Sequence, residues 1–305
     1  MNCKIIDTPS QEYRGKIIEF LCQNLGGEHP LNNTLLFDWF YLNRNNQNNS
    51  DSNSKKLNFF IALKDNNIIS LLGFFNVNYR KGMEIQKGIF LAMWLTLPEH
   101  RKGIGALLMK YALDNNKIIS ALGASEMNKP ICNALGFKII NNISSYIYIL
   151  KERDYSSIII NTNNKLKKDE KKIKTHPRPF SFETFSKEVM DIPVKSINIK
   201  PFGRDLIVET HKEQEYLDWR YNKHPFFEYF WSGIKSEKEI VSWLVWRVVR
   251  LGEIKLCRIV DFDITEYRPE LNEYVNALLS ELKYYSHLIG CDYIDFYTTN
   301  SFLIQ

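Results

Sequence analysis

The residues whose types and spacing could do chemistry lie between Leu95 and Leu113, Leu-Thr-Leu-Pro-Glu-His-Arg-Lys-Gly-Ile-Gly-Ala followed by Leu-Leu-Met-Lys-Tyr-Ala-Leu. An apolar run stopped by Pro98 reads as the end of a strand. The apolar spacing after Gly105 reads as the start of a helix. A glycine loop at a helix N-terminus offers unpaired N–H groups and the positive end of the helix dipole, which suit an anion. Gly103 and Gly105 let phosphate oxygens approach the main chain with no Cβ in the way. His100, Arg101 and Lys102 add positive charge, and a diphosphate is the natural ligand. The loop is not a Walker A loop, because no Gly-Lys-Ser/Thr follows at the required spacing. It is not a dinucleotide fingerprint either, because Leu108 stands where the third glycine should be.

The elements that must position this loop can be read on both sides of it. Residues 4–6 form a short strand, Pro9 to Leu25 a helix, and Leu35 to Leu42 a second helix. Strands follow at Phe59–Leu63, Ile68–Val77 and Ile89–Leu97. The helix from Gly103 to Leu113 leads to a strand at Ile118–Leu122. A short helix at Lys129–Leu135 is stopped by Gly136, and one strand or a strand pair over Ile139–Leu150 closes the half. This order predicts an α/β domain with a mixed sheet. Asn45–Ser54 is a polar, low-complexity loop.

Residues 151–178 are charged and Asn-rich, and we place a linker there between a first domain, 1–150, and a second, 179–305. The second half again mixes helices (Phe182–Met190, Leu271–Leu288) with strands (Phe227–Trp231, Ile240–Val249, Ile254–Ile264, Tyr293–Tyr297). The two halves share landmarks in the same order, which predicts an internal duplication. Asp38-Trp39-Phe40-Tyr41 answers Asp218-Trp219-Arg220-Tyr221. Leu97 to Arg101 answers Ile264 to Arg268, and Ile118–Leu122 answers Tyr293–Tyr297.

A net charge of +5 over 305 residues is too mild to argue for nucleic acid. Much of it falls in the Lys165–Lys174 run, which reads as solvated linker. The five cysteines stand singly, with no CxxC pair or Cys/His cluster, so no metal site is expected and the thiols read as free. With neither a signal-like start nor a spanning apolar run, the expectation is a soluble cytoplasmic protein with no membrane partner.

Pro98-Glu99, then His100-x-x-Gly103-x-Gly105, and later Leu135-Gly136-Phe137 resemble the GCN5-related N-acetyltransferases, over roughly residues 1–150. That family reads Arg/Gln-x-x-Gly-x-Gly/Ala after a strand ending in Pro-Glu, so His100 departs from it. The resemblance, extended to the second half only through the internal repeat, implies two tandem acyltransferase-like domains, each a mixed, mostly antiparallel sheet flanked by helices. It further implies acetyl-CoA as co-substrate and transfer of its acyl group to a primary amine of a small molecule. The CoA pyrophosphate would lie on the amides of Lys102, Gly103, Ile104, Gly105 and Ala106, with His100 and Arg101 beside it. The pantetheine would run along Leu95, Thr96 and Leu97 as an added strand, where a main-chain N–H polarises the thioester carbonyl. The resemblance implies a tyrosine general acid four residues before Gly136, and Cys132 stands there instead. A thiol can donate a proton, although a packing cysteine is the simpler reading. Glu126, just after the Ile118–Leu122 strand, is the candidate base, weighed against a solvated loop carboxylate.

In the second half, Tyr267 to Glu273 has no glycine, and Glu270 and Glu273 would repel a phosphate, so no CoA site is expected there. This copy reads as degenerate and incomplete. Its aromatic residues read as core. As a wall of the acceptor cleft or a homodimer face they would suit sugar rings, which admits an amino sugar as one acceptor. Two other readings stay open: a Fem-type aminoacyl-tRNA-dependent transferase, and a non-catalytic binding protein of the same fold.

Overall fold

A computed structural model describes residues 3–42, 56–82, 84–140, 143–151, 208–236, 239–264 and 271–298. The expected linker, the Asn45–Ser54 loop, the Phe182–Met190 helix and the Tyr267–Glu270 loop lie outside these residues.

The chain packs as two units, 1–141 with 203–226, and 142–202 with 227–305. In the first, β1 (Lys4–Asp7), β2 (Phe59–Lys64), β3 (Asn67–Lys81), β4 (Glu84–Thr96) and β5 (Ile119–Ala121) form a sheet in that order. All its neighbours are antiparallel except β4 and β5, which run parallel across α3 (Ile104–Asn115). A parallel pair needs such a crossover. Helices α1 (Arg14–Leu25) and α2 (Thr34–Tyr41) cover one face, burying Ile17, Leu21 and Phe37 against Phe59, Ile61 and Leu71. On the other face α3 buries Ile104, Leu108 and Ala112 against Phe60, Leu72 and Leu91. Both faces of β2 are therefore covered, which is why Phe59–Leu63 reads as an unbroken apolar run rather than an alternation. The short helix α4 (Lys129–Ala134) follows β5.

In the second unit, β6 (Ser144–Ile149), β8 (Phe230–Ser236), β9 (Glu239–Leu251), β10 (Ile254–Ile264) and β11 (Tyr293–Thr298) form a sheet in the order β6-β11-β10-β9-β8. Helix α6 (Leu271–Leu288) connects β10 to the parallel β11 and buries Tyr274, Leu278 and Leu282 against Leu244, Cys257 and Ile294. Each unit thus contains an antiparallel hairpin, a helix and a parallel strand. Each also has a β-bulge on the hairpin's second strand where the parallel pairing ends: at Ala92, after Leu91 pairs with Ala121, and at Val260, after Ile259 pairs with Phe296.

The units differ from the division expected at residue 150. Strand β6, expected to close the first half, pairs with β11 in the second sheet. Conversely β7 (Val208–Thr210), a strand not read from the sequence, pairs with Tyr79–Lys81 of β3. Helix α5 (Gln214–Leu217) and the π-turn Asp218–Asn222 then pack on the first unit. There Trp219 stacks on Trp39, ring centroids 4.8 Å apart. Each indole Nε1 donates to the other's carbonyl at 3.1 Å. The two copies of the Asp-Trp-x-Tyr motif thus meet in a self-complementary contact.

Candidate active site

Strand β4 is paired on both edges from Ile89 to Leu91 and, among the described residues, on one edge only beyond Leu91. Pairing with β5 covers Ile89, Phe90 and Leu91. Among the described residues no strand continues on that side past the bulge at Ala92. Leu97 N–H donates to Ile69 C=O at 3.0 Å, and this fixes the alternation. The main-chain groups of Met93, Leu95 and Leu97 face β3, while those of Trp94 and Thr96 face the free edge. Of the three strand residues proposed from the sequence, Thr96 alone presents its main chain to the opening. Its carbonyl there accepts from Arg101 Nε at 3.3 Å. Trp94 was missed, and the bulge, which carries no sequence signature, is what turns it outward.

The strand ends in a short 3-10 turn, Pro98–His100, and α3 begins at Ile104. Gly103 caps it with φ 101° and ψ −11°, a left-handed conformation in open space. Its N–H donates to Arg101 C=O at 2.8 Å, and the first helical bond runs from Leu107 N–H to Gly103 C=O. The amides of Ile104, Gly105 and Ala106 are therefore left without a helical acceptor. Arg101, Lys102 and Gly103 are exposed and His100 is half-buried. Gly105 is buried, and a Cβ there would lie 2.9 Å from Thr96 Oγ1 and 3.0 Å from Trp94 Nε1. The physical reason for Gly105 is thus the close approach of α3 to β4, rather than room for a phosphate. Thr96 Oγ1 is held in turn by Ser70 Oγ at 2.7 Å.

Cys132 lies half-buried on α4, and its carbonyl accepts the Phe137 N–H at 3.0 Å. Partial burial pushes its thiol above the usual value, so it is protonated at neutral pH. Glu126 is 87% exposed and bound to Lys129 Nζ at 2.5 Å, the arrangement of a surface ion pair. Among the described residues no group of three potential metal ligands converges. No described helix is long and apolar enough to cross a membrane.

No protein-family model matches the sequence, and no curated protein does. Solved structures do match. A GCN5-related N-acetyltransferase from Anabaena variabilis aligns with TM-score 0.60 at 11% identity, over 97% of this chain and 66% of that one. A probable N-acyltransferase from Enterococcus faecalis aligns with TM-score 0.57 at 13% identity, over 97% and 65%. Eis1 from Mycobacterium abscessus aligns with TM-score 0.52 at 11% identity, over 97% and 65%. This chain thus spans just under two thirds of their lengths. A splayed parallel strand pair, a bulge at the splay and an anion-ready helix N-terminus beside it are set in the fold of the GCN5-related N-acetyltransferases.

Proposed function

We propose that the chain is an acyl-CoA-dependent N-acyltransferase, with acetyl-CoA as donor and a small primary amine as acceptor. The carrying observation is the free edge of β4 at Trp94 and Thr96, ending at the unpaired amides of Ile104 to Ala106. A pantetheine carries amide groups and pairs with such an edge as a short added strand, and its pyrophosphate reaches the helix N-terminus. Arg101, Lys102 and His100 surround that end with positive charge. In this reading residues 1–150 supply the acyl-CoA site, with its strand exchanged for β7 and α5. The second unit is a duplicated copy that binds no CoA.

Transfer joins the amine nitrogen to the acyl carbon and releases the CoA thiolate. A main-chain N–H of the splay faces the developing oxyanion. Cys132, protonated at neutral pH, is assigned as the donor to the leaving thiolate. Glu126 is solvated and ion-paired, so we assign the amine's proton to water rather than to this carboxylate. Holding both substrates in one cleft supplies much of the acceleration. An amino sugar is one small primary amine that the assay below includes.

Calorimetric titration with acetyl-CoA tests the reading. We expect a dissociation constant on the order of micromolar. Gly103→Glu places a carboxylate at the phosphate site and abolishes the binding heat. Gly103→Asn, which tolerates a left-handed backbone, keeps affinity within about threefold. Wild-type affinity in Gly103→Glu overturns the assignment. Binding of charged tRNA without CoA would support the Fem-type reading. An acetyl-CoA consumption assay over a panel of amines and nucleotide amino sugars then identifies the acceptor.

A further inference from the structure

At the splay, the side chain of Trp94 lies on the sheet face that α3 covers. It is half-buried and packs against the cluster that includes Phe60, Leu72, Ile104 and Leu108. Thr96, two residues on, points to the same face. The indole reaches the first turn of α3. A Cβ on Gly105 would lie 3.0 Å from Trp94 Nε1 and 3.3 Å from its Cε2, so the N–H edge of the ring is the edge that faces the helix. The Cα–Cβ bonds of a helix tilt toward its N-terminus. Trp94 Nε1 therefore sits on the N-terminal side of Gly105, beside the amides of Ile104, Gly105 and Ala106 that no helical acceptor reaches.

An indole N–H only donates, and in a packed setting it usually has an acceptor. Trp39 and Trp219 Nε1 donate to carbonyls, and Trp246 Nε1 donates to Ser232 Oγ at 3.1 Å. Trp94 Nε1 donates to no described residue. Thr96 Oγ1 is close at hand, but it pairs with Ser70 Oγ at 2.7 Å, and Ser70 Oγ also donates to Leu95 C=O at 3.1 Å. Nor is Trp94 Nε1 sealed from solvent. An acceptor arriving at the start of α3 thus meets this N–H and the helix amides together. The charges there favour an anion. Glu99 is the one carboxylate between Pro98 and Gly103, exposed and outnumbered by Arg101 and Lys102, and the helix dipole adds its positive end.

We infer that Trp94 is a binding residue for the pyrophosphate of the acyl-CoA donor, its Nε1–H donating to a phosphate oxygen held by the amides of Ile104 to Ala106. The inference rests on the acyl-CoA reading and adds to it a side-chain donor supplied by the strand. Trp94 thereby serves twice. Its main chain at the free edge pairs with the pantetheine, and its indole holds the phosphate, which sets the two parts of the ligand in register along β4. The donor is neutral and held by packing, so it favours a diphosphate by position rather than by charge.

The test is calorimetric titration of the full chain with acetyl-CoA. Trp94→Phe keeps an aromatic ring against Gly105 and removes the N–H, and its affinity falls at least about tenfold. The factor is the same for acetyl-dephospho-CoA, which keeps the pyrophosphate and lacks the ribose 3′-phosphate. In the wild type, the Trp94 indole N–H resonance moves downfield when acetyl-CoA saturates the site, a readout that lost packing in the variant does not touch. Three results overturn the proposal and leave the acyl-CoA reading standing: wild-type affinity in Trp94→Phe, a loss of affinity not shared by acetyl-dephospho-CoA, or an indole resonance that stays in place. Absence of acetyl-CoA binding to the wild type overturns both.

Discussion

Gly103 and Gly105 stand two residues apart and answer different physical demands. Gly103 is exposed, has room for a side chain and needs glycine for its positive φ. Gly105 has an ordinary helical backbone and needs glycine because Thr96 and Trp94 press on its Cα. A methyl group at 105 must push α3 away from β4 or displace the Trp94 indole. Gly105→Ala should therefore destabilise the first unit by about 1–3 kcal/mol, the usual cost of overpacking. Urea unfolding followed by tryptophan fluorescence measures it. A change below about 0.5 kcal/mol, the scale of a neutral surface substitution, would mean that the helix and strand are not in close contact. Both glycines were legible in the sequence as a motif, but their separate reasons were not. Those depend on a backbone angle in one case and on a neighbouring strand in the other.

Among elements, the contact between α2 and the π-turn after α5 rests on two indoles that exchange hydrogen bonds and stack. Around it Phe40, Phe75 and Phe90 pack with Trp219, and the Arg220 guanidinium lies 5.7 Å from the Trp39 ring centroid. Each Nε1–H is satisfied by the partner's main chain, so removing one indole strands a carbonyl as well as opening a void. A double-mutant cycle of Trp39→Ala and Trp219→Ala should show a coupling of about 0.5–3 kcal/mol, as for residues in direct contact. Additive effects would show that the two segments stabilise the unit independently. The recurrence of Asp-Trp-x-Tyr was visible in the sequence. That the two copies bind each other could not be, because the contact joins residues separated by 180 positions. β7 was missed for a related reason. At three residues it carries no periodicity, and it exists only because the Tyr79–Lys81 edge of β3 is there to pair with.

Across the whole molecule, each packed unit is completed by a segment from the other half of the chain. Residues 208–226 supply the first unit with an edge strand and with Trp219, and residues 144–149 supply the second sheet with an edge strand. A fragment ending at residue 150 lacks the strand that covers β3 and the indole that covers Trp39. We expect it to lose the single cooperative melting transition of a folded unit in calorimetry. A sharp transition with full calorimetric enthalpy would show that the exchanged segments are dispensable.

The amino-acid sequence by itself determined most of the described α/β elements, their order and the glycine loop after Pro98. These follow from local rules: apolar period, proline and glycine punctuation, and the chemistry of a helix N-terminus. The tertiary structure decided which main-chain groups of β4 are free, because a single bulged residue at Ala92 reverses the facing of everything after it. It also decided which half of the chain completes each sheet, and it set the Trp94 indole beside the start of α3. Strand register and long-range pairing are set by burial summed over the whole unit, and no local window of sequence carries that sum.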